Sequence, residues 1–234
     1  MNNKVTWDSR WDKEFIQVKS FEQYYDSMGP IVKDYLLDLK NTLDKISIKN
    51  SMVLDIGGGY GPILNFLIDS SNSKYLFDIS TSGLEIATNY YNIENTFNIN
   101  ILNDDISLFK NKFNLILLTE VIEHIPQENH NNLFKKLNEL LLIGGEVIIT
   151  TPNVSSLTSL IRLIRGMQPM IFHLDDNHVS AHSIKSLSKL INNNGTFKIL
   201  NCKTTPIRFF PGNIKLPLSL YYGEHLIFRI KKIR

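Results

Sequence analysis

Hydrophobic residues along this chain follow two successive patterns. From Phe21 to Leu43 the apolar positions Tyr24, Met28, Ile31, Tyr35, Leu39 and Leu43 recur every three or four residues. That is the period of one helix face, with Gly29-Pro30 as an interruption. Downstream, short apolar runs alternate with helix-period segments. Met52–Ile56, Lys74–Ile79, Phe97–Leu102, Phe113–Thr119 and Glu146–Thr150 read as strands. Pro62–Asp69, Ser82–Tyr91 and the set Leu133, Phe134, Leu137, Leu140 and Leu141 read as helices, with Gly144-Gly145 expected to stop the last. Ile184, Leu187, Leu190 and Ile191 mark a further helix closed by Asn194-Gly195, and Phe197–Thr204 and His225–Ile230 read as two closing strands. This alternation predicts an α/β fold, a parallel sheet covered by helices on both faces.

Composition narrows the class. At 234 residues the chain holds one α/β domain with a sizeable core. A net charge of +2 gives no reason to expect a nucleic-acid partner on electrostatic grounds alone. The single cysteine, Cys202, allows no internal disulfide and suits a reducing compartment. Met1–Trp7 lacks an apolar signal core and no apolar run is long enough to span a bilayer, so a cytoplasmic protein with no transmembrane segment is expected. Trp7 and Trp11 are expected to pack on the body or cover a ligand. Residues 1–48 read as an N-terminal helical extension or lid, and 49–234 as the main domain.

The chemistry concentrates in Val53-Leu54-Asp55-Ile56-Gly57-Gly58-Gly59-Tyr60-Gly61-Pro62, a buried strand, a tight turn and a helix start. Glycine there tolerates positive φ and lets a ligand approach the backbone. The free N–H groups of a helix start suit polar or anionic ligand groups. A phosphate-cradling P-loop needs Gly-Lys-Ser/Thr, but Gly61 is followed by Pro62 and Ile63. A dinucleotide fingerprint needs a third glycine where Pro62-Ile63-Leu64 stands. What remains, Asp55-Ile56-Gly57-Gly58-Gly59, resembles the glycine loop of class I S-adenosylmethionine-dependent methyltransferases; a glycine turn of some other α/β protein is the plain alternative. The resemblance implies that Gly57, Gly58 and Gly59 lie under the amino-acid part of the cofactor. Asp55 would act on the methionine ammonium, directly or through water. It also implies a Rossmann-like seven-stranded sheet, mostly parallel, with one antiparallel strand.

Two later strand ends carry acids. Asp78 stands at the end of the second strand, where a carboxylate can accept both ribose hydroxyl protons, and Phe77-Asp78-Ile79-Ser80 resembles the family's ribose segment. The plain alternative for Asp78, capping the next helix, is better served by Ser80, Thr81 or Ser82. After the third strand, Asp105-Ile106 matches the family's adenine segment, an acid for the amino group and an apolar neighbour for the ring; Asp104 is the other acid available. Phe113-Asn114 stands where the family has Phe-Asp.

Thr119-Glu120-Val121-Ile122-Glu123-His124-Ile125-Pro126 lies at the same sheet edge as the glycine loop, so Thr119 and Glu120 count among the cofactor-binding residues. If the segment is helical, Glu120, Glu123 and His124 share one face. They then read as a divalent metal site for the acceptor's oxygens, as His124 acting as general base with Glu123 beside it, or as the end of a polar turn. The stretch is similar to that of ubiquinone-pathway O-methyltransferases and of small-RNA 3′-end 2′-O-methyltransferases. There Glu-x-x-Glu-His holds a divalent ion such as Mg²⁺, in the RNA enzymes with a later histidine. That histidine maps onto Asp175-Asp176-Asn177-His178, with His173 and His182 nearby.

Glu146–Thr150 runs on into Thr151-Pro152-Asn153, another family segment. Residues 154–182 then stand where the family inserts acceptor-binding elements. An amphipathic piece there can grip an acceptor, touch a membrane or pack as core. The expected reaction is methyl transfer from S-adenosylmethionine to a small-molecule or glycan hydroxyl, with surface polysaccharide chemistry favoured. A quinone-precursor phenol, an RNA 3′-terminal ribose and a non-catalytic cofactor-binding scaffold are the alternatives.

Overall fold

The computed structural model describes residues 18–174, 177–209, 214–216 and 221–234. Trp7, Trp11, Asp175 and Asp176 lie outside them. Two helices lead in, α1 (Phe21–Ser27) and α2 (Pro30–Leu43). The expected break is real: Gly29 caps α2 and Pro30 occupies its first position, where a missing N–H costs nothing.

The alternation then runs β1 (Met52–Ile56), α3 (Pro62–Leu67), β2 (Ser73–Asp78), α4 (Thr81–Tyr91), β3 (Asn95–Asn98) and β4 (Phe113–Thr119). It continues through α5 (His130–Leu140), β5 (Leu141–Pro152), α6 (Leu157–Ile164), α7 (Met170–Leu174), α8 (Ile184–Asn194) and β6 (Phe197–Thr204). A small hairpin of β7 (Ile207–Phe209) and β8 (Ile214–Leu216) precedes β9 (His225–Lys232). The main sheet has seven strands in the order β3-β2-β1-β4-β5-β9-β6. Strands β1 to β5 pair in parallel, and β9 is antiparallel to both β5 and β6.

Because both faces are covered, successive residues of β4 are all buried: Leu115 and Leu117 face one core, Ile116 and Leu118 the other. One core takes Tyr35, Leu36 and Leu39 of α2 with Ile63 and Leu64 of α3. The opposite core takes Leu133, Phe134 and Leu137 of α5 with Leu187 and Ile191 of α8. Helices on both faces leave the carboxyl ends of the parallel strands as the open edge.

Two of the boundaries that differ from expectation have a clear local cause. The third strand ends at Asn98, not Leu102, because Asn100 and Asp104 close a turn: Asp104 Oδ2 accepts from the Asn100 N–H at 2.7 Å, and Asn100 Oδ1 from the Leu102 N–H at 3.0 Å. Gly144-Gly145 does not stop a helix. Helix α5 already ends at Leu140, and the glycines lie within β5, where the register with β4 shifts between Phe113 and Leu115.

Candidate active site

At the open edge the turn after β1 follows from its glycines. Gly57, Gly59 and Gly61 adopt φ of 71°, 59° and 77°, the left-handed region. Gly58 is needed for space: a Cβ there would lie 2.4 Å from Asp55 Oδ2 and 2.8 Å from Leu76 Cδ1. The turn is fastened to β2, since the Gly59 N–H donates to Asp78 Oδ2 at 2.7 Å. The Ser80 N–H donates to Asp78 Oδ1, also at 2.7 Å. Ser80, not Asp78, caps α4, its hydroxyl accepting from the Gly83 N–H at 3.0 Å. Ile79 is half-buried beside it.

Asp55 is fully buried, and neither carboxylate oxygen has a hydrogen-bond partner among the described residues. Burial first, and then the nearby Asp78, pushes its carboxyl up to about 8. A buried acid left so is costly unless a ligand brings donors or positive charge. Tyr24 of α1 belongs to the same wall. Its ring stacks on Phe66 with centroids 5.6 Å apart, and burial, Tyr60, Tyr91 and Asp55 together push its phenol upward.

The end of β4 is not helical. Glu120 sits at φ 56°, a left-handed conformation that costs a residue with a side chain about 1–2 kcal/mol. A 3-10 turn then covers Ile122–His124. The condition for a shared helix face of Glu120, Glu123 and His124 is therefore not met. Glu120 points to β5 and β9, where its Oε1 accepts from the Thr150 hydroxyl at 2.8 Å and its Oε2 lies 3.6 Å from His225 Nε2.

Glu123, His124 and His178 do come together, one ligand atom from each lying within 4.8 Å of the others. The two imidazole centroids are 4.7 Å apart. His124 Nδ1 is 3.2 Å from the Asn177 carbonyl and His178 Nδ1 is 2.6 Å from the Ile171 carbonyl. A carbonyl only accepts, so each Nδ1 carries a proton, and in the neutral ring Nε2 is the atom left to act as a ligand. The loop bearing His178 is clamped on the turn, with Val179 and Ser180 N–H groups donating to the Glu123 carbonyl at 2.9 and 3.0 Å. Glu120, expected as a fourth ligand, is not part of this cluster. His182 is not a member either. It is buried against His130, ring centroids 5.0 Å apart, and burial followed by His130 pushes it down to about 4. The His173 side chain lies outside the described part of the structure.

The adenine segment is less prepared. Asp105 is exposed and caps its own turn, its oxygens accepting from the Ser107 N–H and hydroxyl, both at 2.9 Å. Those bonds hold its carboxyl below the usual range, the backbone bond first. Ile106 is inside the core beneath it.

The methyltransferase domain model matches residues 30–199. The chain belongs to that family. A phosphoethanolamine N-methyltransferase of Plasmodium falciparum is 32% identical over 159 residues, covering 64% of this chain and 54% of that protein. A ubiquinone biosynthesis O-methyltransferase of Coxiella burnetii is 28% identical over 118 residues, 49% of each chain. The chain thus spans about half the length of these curated relatives. The fold is that of an S-adenosylmethionine-dependent methyltransferase from Archaeoglobus fulgidus, with a TM-score of 0.63 at 17% identity over 85% of this chain and 93% of that one.

The family's cofactor fits the edge on its own chemistry. S-adenosylmethionine brings an ammonium, which a buried carboxyl with no partner among the described residues can take, and a ribose, whose hydroxyls a carboxylate at the place of Asp78 can accept. Tyr35, Thr150 and His225 were not legible as site residues. The signal for His225 was available: an antiparallel closing strand starts where the parallel strands end, so its first residue reaches the ligand edge.

Proposed function

We propose that this methyltransferase binds S-adenosylmethionine along Asp55, Gly57, Gly58, Gly59 and Asp78, with Ile79, Asp105, Ile106 and Thr119 around it. The methyl group goes to a hydroxyl oxygen of a small-molecule acceptor. The cofactor supplies an already activated sulfonium methyl, so the protein's work is alignment and handling of the acceptor's proton.

The observation that carries the hydroxyl reading is the Glu123–His124–His178 cluster. An amine attacks as a free base, whereas an alcohol oxygen gains from a cation that acidifies it. Two imidazole nitrogens and one carboxylate form a donor set that suits Mn²⁺, Co²⁺ or Zn²⁺ better than Mg²⁺. In this reading His124 is a ligand and not the general base. A glycan of surface polysaccharide chemistry is the favoured acceptor, supported by the insert over residues 154–182 and its histidine loop. The relatives' printed activities keep a phenol and the amine of phosphoethanolamine as competitors.

The test follows formation of S-adenosylhomocysteine with methyl glycosides, 3,4-dihydroxybenzoate or phosphoethanolamine as acceptor. Each is assayed with chelator and then with Mn²⁺, Co²⁺ or Mg²⁺ restored. Turnover on a hydroxyl acceptor that chelator abolishes and Mn²⁺ or Co²⁺ restores supports the proposal. Chelator-insensitive turnover on the amine contradicts it.

A further inference from the structure

The carboxylate of Glu120 is held by more than the cofactor edge requires. Thr150 Oγ1 lies 2.8 Å from Glu120 Oε1, and it also receives the Glu120 N–H at 3.2 Å. A carboxylate only accepts, so the single Thr150 hydroxyl proton goes to Glu120. Tyr35 Oη, 3.2 Å from the same Thr150 oxygen, must then be the donor in that contact. Tyr35 is buried and its phenol is pushed upward, by burial first and Glu120 second, so it keeps its proton. The result is a directed chain, Tyr35 to Thr150 to Glu120 Oε1, running from α2 through β5 to the end of β4.

The second oxygen, Oε2, faces His225 Nε2 at 3.6 Å. His225 is pinned from behind by the Tyr35 ring, with centroids 5.0 Å apart, and its Nδ1 is buried without a partner among the described residues. The Glu120 side chain is 32% exposed, so a carboxylate anchored through Oε1 is still accessible. The left-handed backbone of Glu120 is the conformation that turns its side chain this way.

We propose that Glu120 accepts the proton of the acceptor's hydroxyl and shares it with His225, while Thr150, Tyr35 and His225 are positioning residues. The inference rests on the hydroxyl reading above. As the oxygen–methyl bond forms, the sulfur–methyl bond breaks and sulfur keeps that electron pair. The hydroxyl proton leaves the oxygen for Glu120 Oε2 and the imidazole, so no further reactant is needed.

The test uses the full chain. In turnover assays with methyl α-glucoside and 3,4-dihydroxybenzoate, Glu120→Gln lowers kcat about 100-fold, within the range of general-base losses, while S-adenosylhomocysteine affinity stays within about threefold. His225→Gln and Thr150→Val each lower kcat roughly tenfold, and adding Tyr35→Phe to Thr150→Val costs nothing more, because both act through one chain. A Glu120→Gln enzyme with kcat within about threefold of the parent overturns the proposal. A second arm needs no acceptor. In ¹⁵N-histidine spectra of the S-adenosylhomocysteine complex, the His225 imidazole signals, assigned with His225→Gln, move in Glu120→Gln and in Tyr35→Phe. Unmoved signals overturn the coupling. A parent enzyme that methylates only phosphoethanolamine sinks the hydroxyl reading, and Glu120→Gln turnover on that amine at the parent's rate then overturns the relay as well.

Discussion

The backbone N–H of Gly59 donates to the Asp78 carboxylate at 2.7 Å, so the acid at the end of β2 fastens the turn after β1. Asp78 therefore has two duties, one to the loop and one to the cofactor. Asp78→Ala orphans the Gly59 and Ser80 N–H groups and should cost about 1–3 kcal/mol of unfolding free energy. Loss of a charged hydrogen-bond acceptor should weaken S-adenosylhomocysteine binding about 10- to 100-fold. Denaturant titration and calorimetry read the two effects separately.

Asp55 makes the cofactor-free chain sensitive to pH. Its carboxyl is raised from an ordinary value of 3.8 to about 8 on folding, by burial first and Asp78 second. Between those values the folded chain holds a proton that the unfolded chain has lost. The contribution is fully present below the unfolded value and is lost as pH rises through the folded one. Melting of the cofactor-free protein should fall over that window, and Asp55→Asn should flatten the fall.

The same carboxyl predicts linkage in the opposite direction for binding. An ammonium beside Asp55 favours the ionised form, so binding below the folded value releases up to about one proton. Calorimetry at neutral pH in buffers of different ionisation enthalpy should read that release in the parent and none in Asp55→Asn.

Gly58→Ala should keep the fold and lose the ligand. Its Cβ would sit 2.4 Å from Asp55 Oδ2, so the acid must swing away from the cofactor edge. The strain is of the usual overpacking size, about 1–3 kcal/mol. Unchanged cofactor affinity in this variant would contradict the role given to Asp55.

The cation cluster is separable from the cofactor edge. His178→Ala removes a proposed ligand from a loop that stays clamped through the Val179 and Ser180 bonds to Glu123. Mn²⁺ or Co²⁺ binding should disappear while S-adenosylhomocysteine affinity remains within about threefold, because additive sites do not share partners.

The central strands were legible because they are buried on both faces and read as apolar runs, as Leu115, Ile116, Leu117 and Leu118 do. The errors fall where side chains overrule pattern. Asn100 and Asp104 bend the chain after β3, and Glu120 leaves the helical path by adopting φ 56°. Spacing alone put Glu120 with Glu123 and His124. The actual divider is Thr150, thirty positions later, which holds the Glu120 carboxylate against the end of β5. Such pairing between strand ends has no local sequence signal. Neither does the contact of His225 with Tyr35, which joins residues from opposite ends of the chain.

The central claim is that the edge around Asp55 is a site for S-adenosylmethionine. Titration calorimetry of the full chain with S-adenosylhomocysteine tests it most directly. The account predicts one saturable site that Asp55→Ala abolishes without unfolding the protein. Absence of binding by the parent chain, or equal binding by Asp55→Ala, would contradict it.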